Sequence, residues 1–110
     1  MQPPRSELNR LHAELCMAVA DPIRIAILYA LSDGPRFVNE IHEALELPQS
    51  TVSRHLRILR TAGLVSDQRQ GRLVQYQLAD HRVIDAIELL RQVMADRIKA
   101  HADSISLSQE

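Results

Sequence analysis

The chain has no tryptophan, two tyrosines and one phenylalanine, so aromatics make up only 3% of its 110 residues. Its core must rest on Leu, Ile, Val and Ala. Such a core favours helix packing and is small enough that burial against a partner surface would add stability. A single cysteine, Cys16, excludes an internal disulfide framework and fits a reducing compartment. No apolar run reaches the roughly 18 residues of a membrane span, and no signal peptide or lipidation motif is visible. A cytoplasmic protein with no membrane partner is therefore expected. Catalysis is not expected either. There is no nucleophile–base pair at supporting spacing, no Gly-rich phosphate loop and no cluster of metal-ligand residues, so no cofactor is called for.

The net charge of −1 argues against a uniformly basic nucleic-acid binder, but its distribution does not. Between Gln49 and Arg72 stand five arginines (54, 57, 60, 69 and 72) against one acid, Asp67. That segment carries +4, so the rest of the chain carries −5. Charge gathered on one segment is the footprint expected for phosphate contact; the alternative is an ordinary solvated helix face.

Read in order, the chain predicts one domain over residues 1–110. Residues 1–6, with Pro3 and Pro4, form a flexible arm. Leu8, Leu11, Leu15 and Val19 recur at helical spacing, giving a first helix over 7–20. Asp21-Pro22 starts a second, with Asp as N-cap and Pro in the first helical position, and Asp33-Gly34-Pro35 ends it. A short third helix spans about Val38 to Leu45. After Leu47-Pro48, Gln49 or Ser50 caps a fourth. Within it Val52, Leu56 and Leu59 point inward while Ser50, Arg54, Arg57 and Thr61 lie opposite, and Gly63 closes it. Two extended runs, Val65 to Arg69 and Arg72 to Leu78, are joined by Gln70-Gly71. A long helix follows over 80–105, with Val83, Ile87, Leu90, Met94 and Ile98 as its apolar stripe.

Two helices joined by a short turn, the second polar on its outer face, make a helix-turn-helix over 38–62, and the hairpin over 64–78 adds a wing. The fold class is thus mainly α with a β-hairpin, a winged helix-turn-helix of five helices. The fourth helix would enter the major groove and the wing would follow the phosphate backbone or the minor groove. The candidate DNA-binding residues are Gln49, Ser50, Thr51, Ser53, Arg54, His55 and Arg57 on the helix, with Arg69, Gln70 and Arg72 on the wing. The first and last helices would be left partly bare on a monomer. A twofold dimer through Leu8, Leu11, Leu15, Ile87, Leu90 and Met94 would cover them and set two reading helices about 34 Å apart. Alternatively, both helices fold back on their own domain.

At this point the residues resemble a known family. Residues 18–28 (Ala-Val-Ala-Asp-Pro-Ile-Arg-Ile-Ala-Ile-Leu), Gln49 to Leu56, Ala62-Gly63-Leu64-Val65 and Gly71-Arg72 are similar to the ArsR/SmtB family of bacterial transcriptional regulators. The resemblance covers about Glu14 to Ile98. It implies a homodimeric cytoplasmic repressor that occupies double-stranded operator DNA until an inducer, often a metal or metalloid, releases it.

The sensing positions depart from that pattern. Arsenic-type members carry Cys-x-Cys on the third helix, where this chain has Asn39-Glu40-Ile41-His42-Glu43-Ala44. Zinc-type members use an Asp-x-His at the start of the last helix and a His-x-x-Glu or His-x-x-His further along it. Asp80 and Asp96 fit the first and last places, but Arg82 and Val93 stand where the two histidines should be, and two acids alone are a poor set for a borderline-soft ion. Sulfur-sensing members use two cysteines per subunit. No metal site is therefore expected, and the effector is expected to be a small organic molecule near the dimer helices, or absent. Three alternatives stay open: a soft-metal site at His12 and Cys16 with His101 of a second subunit, a Cys16 redox switch, and a winged-helix protein-interaction module without DNA contact. For Cys16 itself a packed thiol is expected. His42 and His81 are expected at the surface or as capping residues.

Overall fold

The computed structural model describes residues 1–108. A first helix, α1, runs over residues 5–19; α-helical at Arg5–Leu11 and Met17–Val19, it carries a π-helical turn at His12–Cys16 in which the Met17 N–H reaches back to the His12 carbonyl. Helix α2 is Pro22–Ala30. Strand β1 (Arg36–Phe37) leads into α3 (Val38–Leu45), and α4 is Gln49–Thr61. Strands β2 (Val65–Gln70) and β3 (Leu73–Leu78) form the wing, and α5 is Arg82–Ser108.

Local chemistry accounts for these boundaries. The Asp21 carboxylate accepts from the N–H groups of Ile23 (2.8 Å) and Arg24 (3.3 Å), capping α2 with Pro22 in its first turn. Glu40 reaches back to the Phe37 N–H at 2.9 Å, holding the start of α3. Glu46 closes α3 at φ 56, and the Leu47 N–H bonds the His42 carbonyl, which turns the chain sharply into α4. The expected caps of α4 are absent: Pro48 is the N-cap residue, and neither Gln49 nor Ser50 makes a side-chain capping bond. Gly63, at φ 78, ends the helix.

The wing turn lies one residue later than the sequence pattern indicated. Gln70 pairs with Leu73 inside the ladder, so Gly71 and Arg72 are the two turn residues. Gly71, at φ 65, is the first of them, the position a two-residue hairpin reserves for positive φ. The sheet also holds a third strand. β1 pairs antiparallel with β3, Arg36 opposite Tyr76, giving the order β1-β3-β2. Two residues carry too little alternation to be recognised as a strand.

The core gathers Ile27 and Leu28 of α2 with Leu31 at its C-cap, Ile41 of α3, Val52, Leu56 and Leu59 of α4, then Leu64, Val65, Tyr76, Ile84 and Ile87. Truncating any of the fully buried Leu or Ile residues to Ala would cost about 2–5 kcal/mol. Helix α5 contributes only its first two turns. Ile87, expected at a dimer surface, is 8% exposed and belongs to this core, because α5 must lie on α2 before it leaves the domain. Beyond it Leu90 is 69% exposed, and Leu89, Val93, Met94 and Ile98 are likewise bare, as are Leu8, Leu11 and Leu15 of α1. The molecule is accordingly extended, with a radius of gyration of 17.6 Å where a compact chain of this length has about 13 Å.

Candidate nucleic-acid interface

Helix α4 is fixed by three inward side chains, Val52, Leu56 and Leu59, all fully buried. Their spacing dictates what faces out. Gln49, Ser50, Arg54 and Arg57 are exposed, and Thr51 and Ser53 are half-buried on the flanks. The first turn holds no acidic residue and no side-chain cap; the Thr51 and Val52 N–H groups bond the Pro48 carbonyl, and the positive end of the helix dipole favours an anion such as a backbone phosphate near the start. On the wing Arg69, Gln70 and Arg72 are exposed, with Arg72 in the turn itself and Arg69 near the end of β2. Gln70 is tied across the ladder, its Nε2 donating to Gln75 Oε1 at 3.3 Å.

Arg60, counted among the five basic residues, is engaged elsewhere. Its Nη1 lies 3.0 Å from Asp67 Oδ2, which joins the last turn of α4 to strand β2. The free positive charge therefore sits on Arg54, Arg57, Arg69 and Arg72.

His55 requires a correction. It was expected on the reading face, yet it is only 6% exposed. Its Nδ1 meets Arg24 Nη1 at 3.1 Å. Arg24 in turn donates from Nε to the Ala18 carbonyl (2.5 Å) and from Nη2 to the Met17 carbonyl (3.2 Å). One guanidinium thus links the end of α1, the start of α2 and the middle of α4. Burial depresses the His55 pKa, aided by the charges of Arg24 and Arg54 and opposed by Asp21. The signal for this was in the sequence: position 55 is adjacent to inward Leu56 and three residues after inward Val52, a flank that turns toward the core.

A second network seats α5. The Tyr29 hydroxyl donates to Glu88 Oε1 at 2.5 Å, Arg91 donates to the same oxygen at 2.5 Å, and the Arg91 guanidinium stands 5.4 Å from the Tyr29 ring centre. Sequence reasoning missed it, because no local pattern joins residues 59 positions apart. His81 behaves as a surface residue, with Nε2 3.4 Å from the Ser32 carbonyl oxygen and Nδ1 3.4 Å from Asp85.

The sensing candidates do not come together within the subunit. Cys16 is exposed rather than packed, because the face of α1 that carries it leaves the domain. Asp80 binds the Arg82 guanidinium at 2.7 Å and accepts the Arg82 N–H, so it serves as the start signal of α5. Among the described residues no group of three or more His, Cys, Asp or Glu side chains is placed to hold a metal ion.

The family model described as "Bacterial regulatory protein, arsR family" matches residues 21–67, which run from the α2 cap into the wing. The HTH-type transcriptional regulator CmtR of Mycobacterium bovis is 44% identical over 84 residues, 76% of this chain and 71% of that one. The chain belongs to the ArsR family. The HTH-type transcriptional repressor SmtB of Mycobacterium tuberculosis is 46% identical over 89 residues, and the match spans 77% of this chain and 66% of that repressor. Among solved structures, the homodimeric winged helix-turn-helix DNA-binding domain of a possible ArsR-family regulator from M. bovis superposes with a TM-score of 0.72 at 31% identity. That likeness covers 92% of this chain and 93% of the domain. These ArsR-family relatives are described as regulators of transcription, not as enzymes.

Proposed function

We propose that this ArsR-family protein is a homodimeric, cytoplasmic transcriptional repressor that binds a pseudo-palindromic operator. The observation that carries the proposal is the outer face of α4. An uncapped helix start, Ser50, Arg54 and Arg57 project together from a helix whose other face is locked into the core, beside a wing tipped by Arg69 and Arg72. In this reading Gln49, Ser50, Thr51, Ser53, Arg54 and Arg57 meet base edges and phosphates in the major groove, while Arg69, Gln70 and Arg72 meet the backbone beside it. The bare stripes of α1 and α5 pair with those of a second copy, which matches the homodimer described for the M. bovis domain and presents two α4 helices to successive turns of the duplex. Release from DNA then follows an effector that does not use the usual family metal positions, since Arg82 and Val93 cannot replace their histidines.

The test is a fluorescence-anisotropy titration against the promoter upstream of the protein's own gene, at fixed salt, comparing the parent with Arg54→Ala and Arg57→Ala. A base-reading arginine costs about 1–3 kcal/mol on removal. Parent-like binding by both variants would remove α4 as the reading helix.

A further inference from the structure

A cleft of about 730 Å³ opens between the π-helical turn of α1 and the C-terminal half of α4. Its apolar lining is aliphatic: Ala13, Met17 and Ala18 on one side, Ile58 and Ala62 on the other. None of Leu8, Leu11 and Leu15 lines it. Three charged residues border it, Glu14, Arg24 and Arg57. Glu14 is neutralised by Arg10 at 3.3 Å. Arg24 spends three of its five N–H groups on Met17, Ala18 and His55 and keeps two. Arg57 has no ion-pair partner among the described residues. An aliphatic channel with uncompensated guanidinium charge at its border is complementary to one chemistry, an alkyl chain ending in a carboxylate.

We propose that this cleft binds an aliphatic monocarboxylate and that the bound carboxylate pairs with Arg57. This rests on the reading of α4 as the DNA-contacting helix for its consequence, though not for the binding itself. An Arg57 held by a ligand carboxylate is withdrawn from the DNA, so ligand and DNA compete, each weakening the other by the same factor. Arg24, being fixed to both α1 carbonyls and to His55, gives the carboxylate a second donor that does not move.

The probe is octanoate, with 1-octanol as its uncharged counterpart, followed by amide chemical shifts of the ¹⁵N-labelled protein without DNA. Saturable octanoate shifts at Ala13, Met17, Ile58 and Ala62, absent with octanol, are the expected result. Arg57→Gln should weaken binding about tenfold, the loss of one charge-assisted hydrogen bond. Ala13→Leu should fill the cleft and abolish octanoate binding while DNA binding stays at the parent level. Shifts confined to Leu8, Leu11 and Leu15 or to the bare stripe of α5 would overturn the proposal, as would equal binding of octanol. The DNA arm is read separately. Octanoate that binds the cleft of a protein with no affinity for any duplex would sink the repressor reading and leave the site standing; DNA binding with no octanoate binding would do the reverse.

Discussion

Arg24 Nη1 and His55 Nδ1 are 3.1 Å apart, and a guanidinium can only donate. The imidazole therefore accepts at Nδ1, and its single proton sits on Nε2. A second proton on His55 would set two cations face to face in a buried site. Removing Arg24 would leave His55 and the two α1 carbonyls without this donor, so Arg24→Ala should cost about 2 kcal/mol. Urea unfolding measures it, and a parent-like midpoint would mean that the link is ornamental.

The same contact sets a pH dependence. Burial holds the His55 pKa below its ordinary 6.5 in the folded state. Between that depressed value and 6.5 the unfolded chain binds a proton that the folded chain does not, so stability rises with pH across this window. The contribution is complete above pH 6.5 and is lost as pH falls toward the folded-state pKa. His55→Asn keeps an acceptor near the position of Nδ1 but cannot titrate. Urea midpoints at pH 7.5 and 5.5 should separate more for the parent than for this variant; an equal separation would place the titration elsewhere.

Asp80 provides an acid-side counterpart. Hydrogen bonds from the Arg82 side chain and backbone hold its carboxyl at a pKa of about 2, down from 3.8. Here the depressed group is an acid, so its stabilisation is complete above pH 3.8 and vanishes as pH falls through about 2. Asp80→Ala should lower the melting temperature at neutral pH, as loss of a helix-start hydrogen bond does. Thermal melts at pH 7 and pH 2 should show the difference at the first and not at the second.

Much of the fold was legible because periodicity carried it. The Val52, Leu56 and Leu59 spacing placed the outer face of α4, and Asp21-Pro22 placed the start of α2. What was missed depends on contacts distant in sequence. β1 exists only because β3 lies beside it. His55 turned inward because Arg24 waits there. Ile87 reads like any member of the α5 stripe, and only the packing of α5 on α2 separates it from Leu90. For the candidate interface, residue types were readable from spacing and charge, but the engagement of Arg60 by Asp67 was not, since the wing must fold back to make it.

That separation between Ile87 and Leu90 has a measurable consequence. Ile87→Ala opens a cavity in the domain core and should cost about 2–4 kcal/mol of stability. Leu90→Glu touches no core contact, and should yield a folded monomer in sedimentation velocity, with helical content by circular dichroism retained. If Leu90→Glu stays dimeric, the apolar stripe of α5 is not the interface.

The arginines should divide by what they are free to do. Arg72, exposed at the wing tip, should act as a phosphate contact. Arg72→Ala would then weaken every duplex alike and lower the slope of log K against log salt by about 1. Arg60→Ala should change little, because its guanidinium is already held at 3.0 Å by Asp67, and an exposed pair of this kind is worth at most about 1 kcal/mol to the fold. Asp67→Ala is the sharper experiment. It removes the one acid of the basic segment and frees Arg60, so non-specific affinity should rise and the salt slope should steepen by about 1. Weaker binding by Asp67→Ala would give the pair a different job, that of holding the wing at its working angle to α4.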